Sequence, residues 1–210
     1  MVIISRVAVF PVPDKAGEVQ SIVEEFFRSN PNNIRVSLWR MILGELPTYT
    51  VVSLFDSLEA YEKNRDANFA NSDYVEALAK VNSMVRQPMI SRLATSIVDP
   101  VGDMNAGGRY TQQIILLPTN QGQETVRSTV VDFAKGQQAE GRPRFRASQA
   151  IFANDGPAIS MMDGYETLAE LDNVRRQRTD KVAELWSSLG SNLRAPTMNR
   201  LREVILPFNR

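Results

Sequence analysis

Two arginines stand where a charge is hard to place. Arg92 and Arg200 each fall inside a segment that reads as a strand, Arg92 within Met89 to Val98 and Arg200 in the matching segment near the C-terminus. A guanidinium in mid-strand loses hydration and needs a carboxylate, a bound anion or a water-filled cavity beside it. Two roles follow: an anchor for an anion, or a strand-to-helix ion pair. Trp39, Tyr49, Tyr61, Asn64 and Tyr74 form a polar-aromatic set in the first half. Such side chains either line a pocket or fill a core. By number they make the first half the expected home of the more polar pocket, since Gly156, Leu168, Leu171 and Lys181 stand opposite Tyr49, Tyr61, Asn64 and Tyr74. Arg86 and Arg194 close helical runs, where a cation complements the helix dipole. Arg142, Arg144, Arg146 and Arg175, Arg176, Arg178 make two basic clusters. With 19 Arg against 5 Lys, arginine is the habitual cation here, and both clusters read as solvated faces.

The absences narrow the chemistry further. The 210 residues include no Cys and no His. That excludes disulfides, thiolate nucleophiles, a Ser-His-Asp triad and any metal or haem held by imidazole or thiolate. No metal site and no cofactor are expected. Catalysis, if any, runs on carboxylates, Arg, Lys, Tyr, Ser, Asn, Trp or the reactivity of the substrate. Glu24 and Glu25 face solvent in this reading, because Val23 and Phe26 take the buried side of their helix. No glycine-rich phosphate loop is present. Lys+Arg and Asp+Glu both number 24, so net charge is zero and no broad footprint for nucleic acid or membrane exists. The start, MVIISRVAVFPVP, has no basic lead and is interrupted by Arg6, which points to a cytoplasmic protein without a signal peptide.

The elements that must hold these residues repeat along the chain. At an offset of 107, Ser53 to Glu59 falls on Ser160 to Glu166, Val19 on Val126, Val23 on Val130 and Phe26 on Phe133. At 108, Arg86 to Leu93 matches Arg194 to Leu201 in the pattern R-x-P-x-x-[S/N]-R-L. In each half a β-rich run precedes an amphipathic helix. Val19, Ile22, Val23 and Phe26 give the i, i+3, i+4, i+7 spacing of one face, Asp14 stands ready as its cap, and Asn30-Pro31-Asn32 stops it. A hairpin follows, turning across Gly44 to Pro47 in the first half and at Asn154-Asp155-Gly156 in the second. Then come a helical region, interrupted over 68–72 in the first half, and a last strand after Pro88 or Pro196. The order βαββαβ, twice, predicts an α+β protein of two tandem ferredoxin-like domains packed sheet to sheet as an internal pseudo-dimer. The expected boundaries are 1–100, a linker over 101–108, and 109–210.

Leu54-Phe55-Asp56-Ser57-Leu58-Glu59-Ala60-Tyr61 and Asn71-Ser72-Asp73-Tyr74-Val75-Glu76-Ala77-Leu78 resemble the dimeric α+β barrel superfamily, with NIPSNAP-like and antibiotic-biosynthesis-monooxygenase-like members nearest in pattern. The resemblance implies a pocket lined by Asn, Trp and Tyr, here Trp39, Tyr49, Tyr61 and Asn64, with Arg92 as an anion or oxyanion contact. The superfamily mixes many activities, so fold does not fix function. The leading expectation is a small protein binding an apolar or aromatic ligand without catalysis. The alternative is a metal-free, haem-free monooxygenase or isomerase acting on an activated aromatic substrate. Neither nucleic acid nor membrane is an expected partner, and a homodimer of pseudo-dimers stays open.

Overall fold

The computed structural model describes residues 2–29, 35–42, 46–101, 108–152, 157–195 and 197–208. Among them the chain runs β1 (Ile3–Val9), α1 (Ala16–Ser29), β2 (Val36–Met41), β3 (Tyr49–Phe55), α2 (Leu58–Ala70), α3 (Ser72–Asn82), β4 (Ile90–Val98), β5 (Tyr110–Leu116), α4 (Gln123–Ala139), β6 (Arg146–Phe152), β7 (Ile159–Tyr165), α5 (Leu168–Gln177), α6 (Thr179–Leu189) and β8 (Met198–Leu206). It is an α+β protein, and its strands follow the closed hydrogen-bonded cycle β1-β3-β2-β8-β5-β7-β6-β4. Two compact units emerge: residues 1–93 with 203–210, and residues 94–202. β4 and β8 each contribute residues to both units. The expected helix stop at Asn30-Pro31-Asn32, residues 43–45 of the first hairpin turn, the Asn154-Asp155-Gly156 turn, residues 102–107 of the linker and Pro196 lie outside the described residues. No helix of the described residues is long and apolar enough to cross a membrane.

In the first unit β1 and β3 pair antiparallel from Ile3 with Phe55 to Val9 with Tyr49, and β2 joins β3 from Val36 with Ser53. α1 buries Val19 and Val23 against Val9, Leu38, Tyr49 and Val51, with Val81 and Met84 completing the core. Each such side chain contributes roughly 1.5–3 kcal/mol when fully buried. Asp14 does not cap α1. Pro13–Lys15 instead form a 3-10 turn that runs straight into the helix, with no side-chain cap at Val12. The fixed φ of Pro13 supplies the helical entry that a cap would otherwise secure. α2 buries no residue fully and is held by its Ser57 cap and by Tyr61 packed edge-on to Phe55 at 5.4 Å. The break falls at Asn71, whose side chain accepts the Asp73 N–H at 2.9 Å and caps α3. Arg86 lies beyond α3, and its guanidinium donates to the carbonyls of Pro11 and Pro47 rather than complementing the helix end.

The second unit is built with the same devices. β5 pairs with β7 from Tyr110 with Tyr165 to Leu116 with Ile159, and β6 pairs with β7 from Arg146 with Met162. Val126, Val130 and Ala134 of α4 and Leu185 and Leu189 of α6 pack on Leu116, Ala147 and Ile159. Pro11 bridges Val85, and Pro118 bridges Leu193. Arg35 pairs with Asp56 at 2.7 Å, and Arg144 with Glu166 at 2.7 Å. These contacts correct one sequence match. Phe55 faces Ile3 as Tyr165 faces Tyr110, so Phe55 corresponds to Tyr165, and Asp56 to Glu166. The offset is therefore 110 at this strand, not 107. α2 has 13 residues and α5 has 10, so the second half regains the earlier offset by α6. A lengthening before β7 and a shortening after it cancel, and this hid the shift from the linear comparison.

Backbone strain gives a direct check on this geometry. Gly108 has φ +74°, and an added Cβ would lie 2.6 Å from the Tyr165 carbonyl oxygen. Gly136 sits on the exposed side of α4 with nothing within 4 Å of the same addition. In urea unfolding, Gly108→Ala is expected to cost about 1–3 kcal/mol, while Gly136→Ala gains about 0.5–1 kcal/mol. Equal stability of the two variants would contradict the placement of Gly108.

Candidate functional site

In the first unit the valines of β1 and β3 face α1 and α3 across a gap that their side chains do not fill. The result is a cavity of about 420 Å³. Val7, Val9 and Val51 line it from the sheet, Ile22, Phe26 and Phe27 from α1, Tyr74 and Leu78 from α3, and Met89 and Ser91 from the chain entering and opening β4. The Tyr74 ring lies 5.2 Å from Phe26 and 5.4 Å from Phe69. Phe69 is 56% exposed although it borders the cavity. Burial, and then the neighbouring Tyr61, push the Tyr74 phenol above its ordinary range. Its hydroxyl therefore stays protonated near neutral pH and can donate a hydrogen bond but not take a proton.

The sequence-derived candidates take other places. Trp39 is buried, and its indole N–H donates to Ser37 Oγ at 2.7 Å. Tyr49 is buried, and its hydroxyl meets the Ala16 carbonyl at 3.2 Å and Gln20 Oε1 at 3.1 Å, which ties β3 to α1. Tyr61 packs on Phe55, and Asn64 Oδ1 accepts from Asn68 at 3.1 Å. Arg92 is half-buried in β4. Its neighbour Ser91 borders the cavity while Arg92 does not, as the two-residue alternation of a strand requires. The structure thus brings Tyr74 to the cavity and holds Trp39, Tyr49, Tyr61, Asn64 and Arg92 outside its lining.

The second unit has a cavity of about 400 Å³ with a different character. Gln112, Ile114 and Asp163 line it from the sheet, Phe133 from α4, and Thr179, Val182 and Trp186 from α6, with Arg178 at the head of that helix. Asp163 lies in a strand whose seven residues are all buried. Its Oδ2 accepts from Arg142 Nε at 3.2 Å and Arg178 at 3.2 Å, and its Oδ1 accepts from the Gly164 N–H at 2.9 Å. Arg142 also donates to Glu170 at 2.7 Å and to the Gly164 carbonyl at 2.9 Å, and lies over the Tyr165 ring at 4.8 Å. Burial lowers Arg146 to about 10 against the opposing pull of Asp163. Burial, and then the Asp163 charge, raise the Tyr165 phenol. For Glu170, burial acts upward, but the Arg142 hydrogen bond and the Glu166 N–H outweigh it and hold the carboxyl below its ordinary range.

Two expectations are overturned here. The basic clusters are not solvated faces as a whole: Arg142 and Arg178 converge on Asp163, and Arg144 pairs with the exposed Glu166, whereas Arg175 and Arg176 are exposed, Arg176 paired with Asp172. Of the two described cavities the more polar lies in the second half, and Tyr49, Tyr61 and Asn64 make their contacts elsewhere. The missed signal was an Asp inside an apolar strand, which demands cations, and Thr167-Leu168-Ala169-Glu170, a capping pattern whose Glu bends back to the Glu166 N–H. Among the described residues no group of three or more Asp, Glu, His or Cys is placed to hold a metal ion.

The burial of Asp163 sets its energetic weight. Asp163→Asn is expected to cost about 3–5 kcal/mol, since two largely buried guanidinium groups lose their counter-charge. Asp56→Asn, at a carboxylate with 86% of its side chain exposed, should cost less than about 1 kcal/mol. Glu170 has a depressed folded-state pKa, so its contribution is present above the unfolded value and is lost as pH falls through the folded one. The stability gap between wild type and Glu170→Gln should therefore be open at neutral pH and close in acid. A gap that widens in acid would refute the assignment of the Arg142–Glu170 pair.

No family model matches this chain, and no curated protein matches it. Solved structures do. A candidate monooxygenase from Fusobacterium nucleatum superposes with a TM-score of 0.76 at 10% identity, covering 100% of this chain and 94% of the other. A candidate monooxygenase from Lactobacillus acidophilus gives 0.67 at 11% identity, covering 98% of each chain. An anthrone oxidase-like protein gives 0.66 at 10% identity, covering 97% of this chain and 91% of the other. At such identities the likeness is one of architecture, and the chain has the fold of the dimeric α+β barrel superfamily.

Proposed function

We propose that this chain binds a small apolar or aromatic molecule in the cavity of the first unit without transforming it. The carrying observation is the cavity itself: about 420 Å³, walled by Val, Ile, Leu, Phe and Met, with Tyr74, Asn82 and Ser91 as its polar residues. That combination of apolar walls and few polar groups suits a small ligand. Burying about 200 Å² of ligand surface would contribute about 5 kcal/mol before association costs. Tyr49 supports the site from behind by holding α1 to β3. The strand order β4-β1-β3-β2 and β8-β5-β7-β6 supports two ferredoxin-like repeats over 1–100 and 109–210, forming an internal pseudo-dimer.

A second reading, oxygenation without metal or cofactor, draws on the candidate monooxygenases among the structural neighbours. It needs a base and a cation at the reacting centre. Tyr74 is the titratable residue in the cavity lining and stays protonated. Arg92, next to Ser91, is the cation this reading would recruit. Binding alone asks less of these residues. Titration with 1-aminoanthracene should show one site by fluorescence, and anthrone should cause no oxygen uptake above the uncatalysed rate. Ala77→Trp, which fills the cavity, should abolish binding with the melting temperature retained. Absence of binding to wild type would overturn the proposal, and protein-dependent oxygen uptake would establish the second reading instead.

A further inference from the structure

The two cavities occupy matching places in their units but differ at matched positions. Ser53, Asn71, Met89 and Ser91 of the first half correspond to Asp163, Arg178, Thr197 and Asn199 of the second, and the last four all line the second cavity. Asp163 is already engaged by Arg142, Arg178 and the Gly164 N–H, so its charge is answered within the protein. Arg142 is further matched by Glu170. Arg142, Arg175 and Arg178 against Asp163 and Glu170 leave one positive charge in surplus, and Arg175 borders the cavity with no carboxylate paired to it among the described residues. The opposite wall is apolar, with Phe133, Val182 and Trp186.

We propose that the cavity of the second unit is a separate binding site for a small organic monocarboxylate with an aromatic or branched apolar body. The acid group lies toward Arg175, Thr179 and Asn199, and the body lies against Trp186 and Phe133. This site stands apart from the reading given to the first cavity and does not rest on it.

The test is calorimetric titration of the full chain with 2-naphthoate and with neutral 2-naphthamide. Naphthoate should bind at one site at least about tenfold more tightly than the amide. Arg175→Gln should weaken naphthoate roughly tenfold at unchanged melting temperature. Val182→Trp, or Thr197→Phe should the first fail to fold, should remove naphthoate binding and leave 1-aminoanthracene binding intact. Ala77→Trp should do the reverse. Equal affinity for acid and amide, no naphthoate binding, or naphthoate binding that survives both filled variants of the second cavity would overturn the site. Loss of 1-aminoanthracene binding alone would count against the first cavity only.

Discussion

A helix laid on a twisted sheet touches it along one stripe of side chains, and the space beside that stripe stays open unless neighbouring residues are large enough to close it. In the first unit the stripe is Val19 and Val23 on α1 and Val81 near the end of α3. These short branched side chains bring the helices close to the sheet, but they reach little beyond their own width. Phe26, one helical turn on from Val23, and Tyr74, two turns before Val81, pack on each other. The gap beneath them is the cavity. Its apolar walls follow from the same requirement, because any group turned toward the sheet in this layer loses water.

The second unit meets that constraint with different residues. Asp163 replaces Ser53 on the strand that faces the helices, and a carboxylate there is stable only when its oxygens are bonded on all sides. The chain supplies Arg142 from the turn before β6, Arg178 from the junction of α5 and α6, and the amide of Gly164. Glu170 then balances Arg142 and is itself held by the Glu166 N–H just before α5. One buried acid therefore organises a hairpin entry, a strand end and a helix start. Such a network adds little net stability over a well-packed apolar core, since desolvation offsets much of the Coulomb gain. Its effect is geometric: it fixes where the arginines stand and leaves the cavity beside them polar.

The order of elements was legible because periodicity reports burial on one face. Val126, Val130 and Phe133 and the run from Val182 to Leu189 announced α4 and α6, and β-branched runs announced the strands. The correspondence between halves was legible only where the offset stayed constant. Around β7 two length changes cancelled, and a chance likeness at 107 masked the true partners Phe55 and Tyr165. Arg142 and Arg178 were misread because a charge cluster says nothing about its surroundings until the acid it serves is located in space. The contacts of Tyr49 and Asn64 were illegible for a related reason. A polar aromatic or amide group satisfied by its own helix or strand has no signature distinguishing it from one that waits for a ligand. The cavities had no linear signal at all, since an empty volume is a difference between side-chain sizes on elements far apart in sequence.

Chemistry without His or Cys must draw on groups whose protonation is fixed near neutral pH unless the fold shifts them. Here the shifts run the wrong way for acid–base work. Burial raises Tyr74 and Tyr165 and keeps both phenols neutral. Arg142 and the Glu166 amide lower Glu170 and keep it ionised and occupied. A general base works best when its pKa lies near the operating pH, and none of these groups is brought there. What remains is placement: neutral donors at one cavity and fixed positive charge at the other. Those are the groups that the proposed binding reading draws on. In the oxygenation reading, a substrate that already carries its own carbanion or enolate would take the place of the base, and the chain would contribute the dry volume and the Arg92 cation.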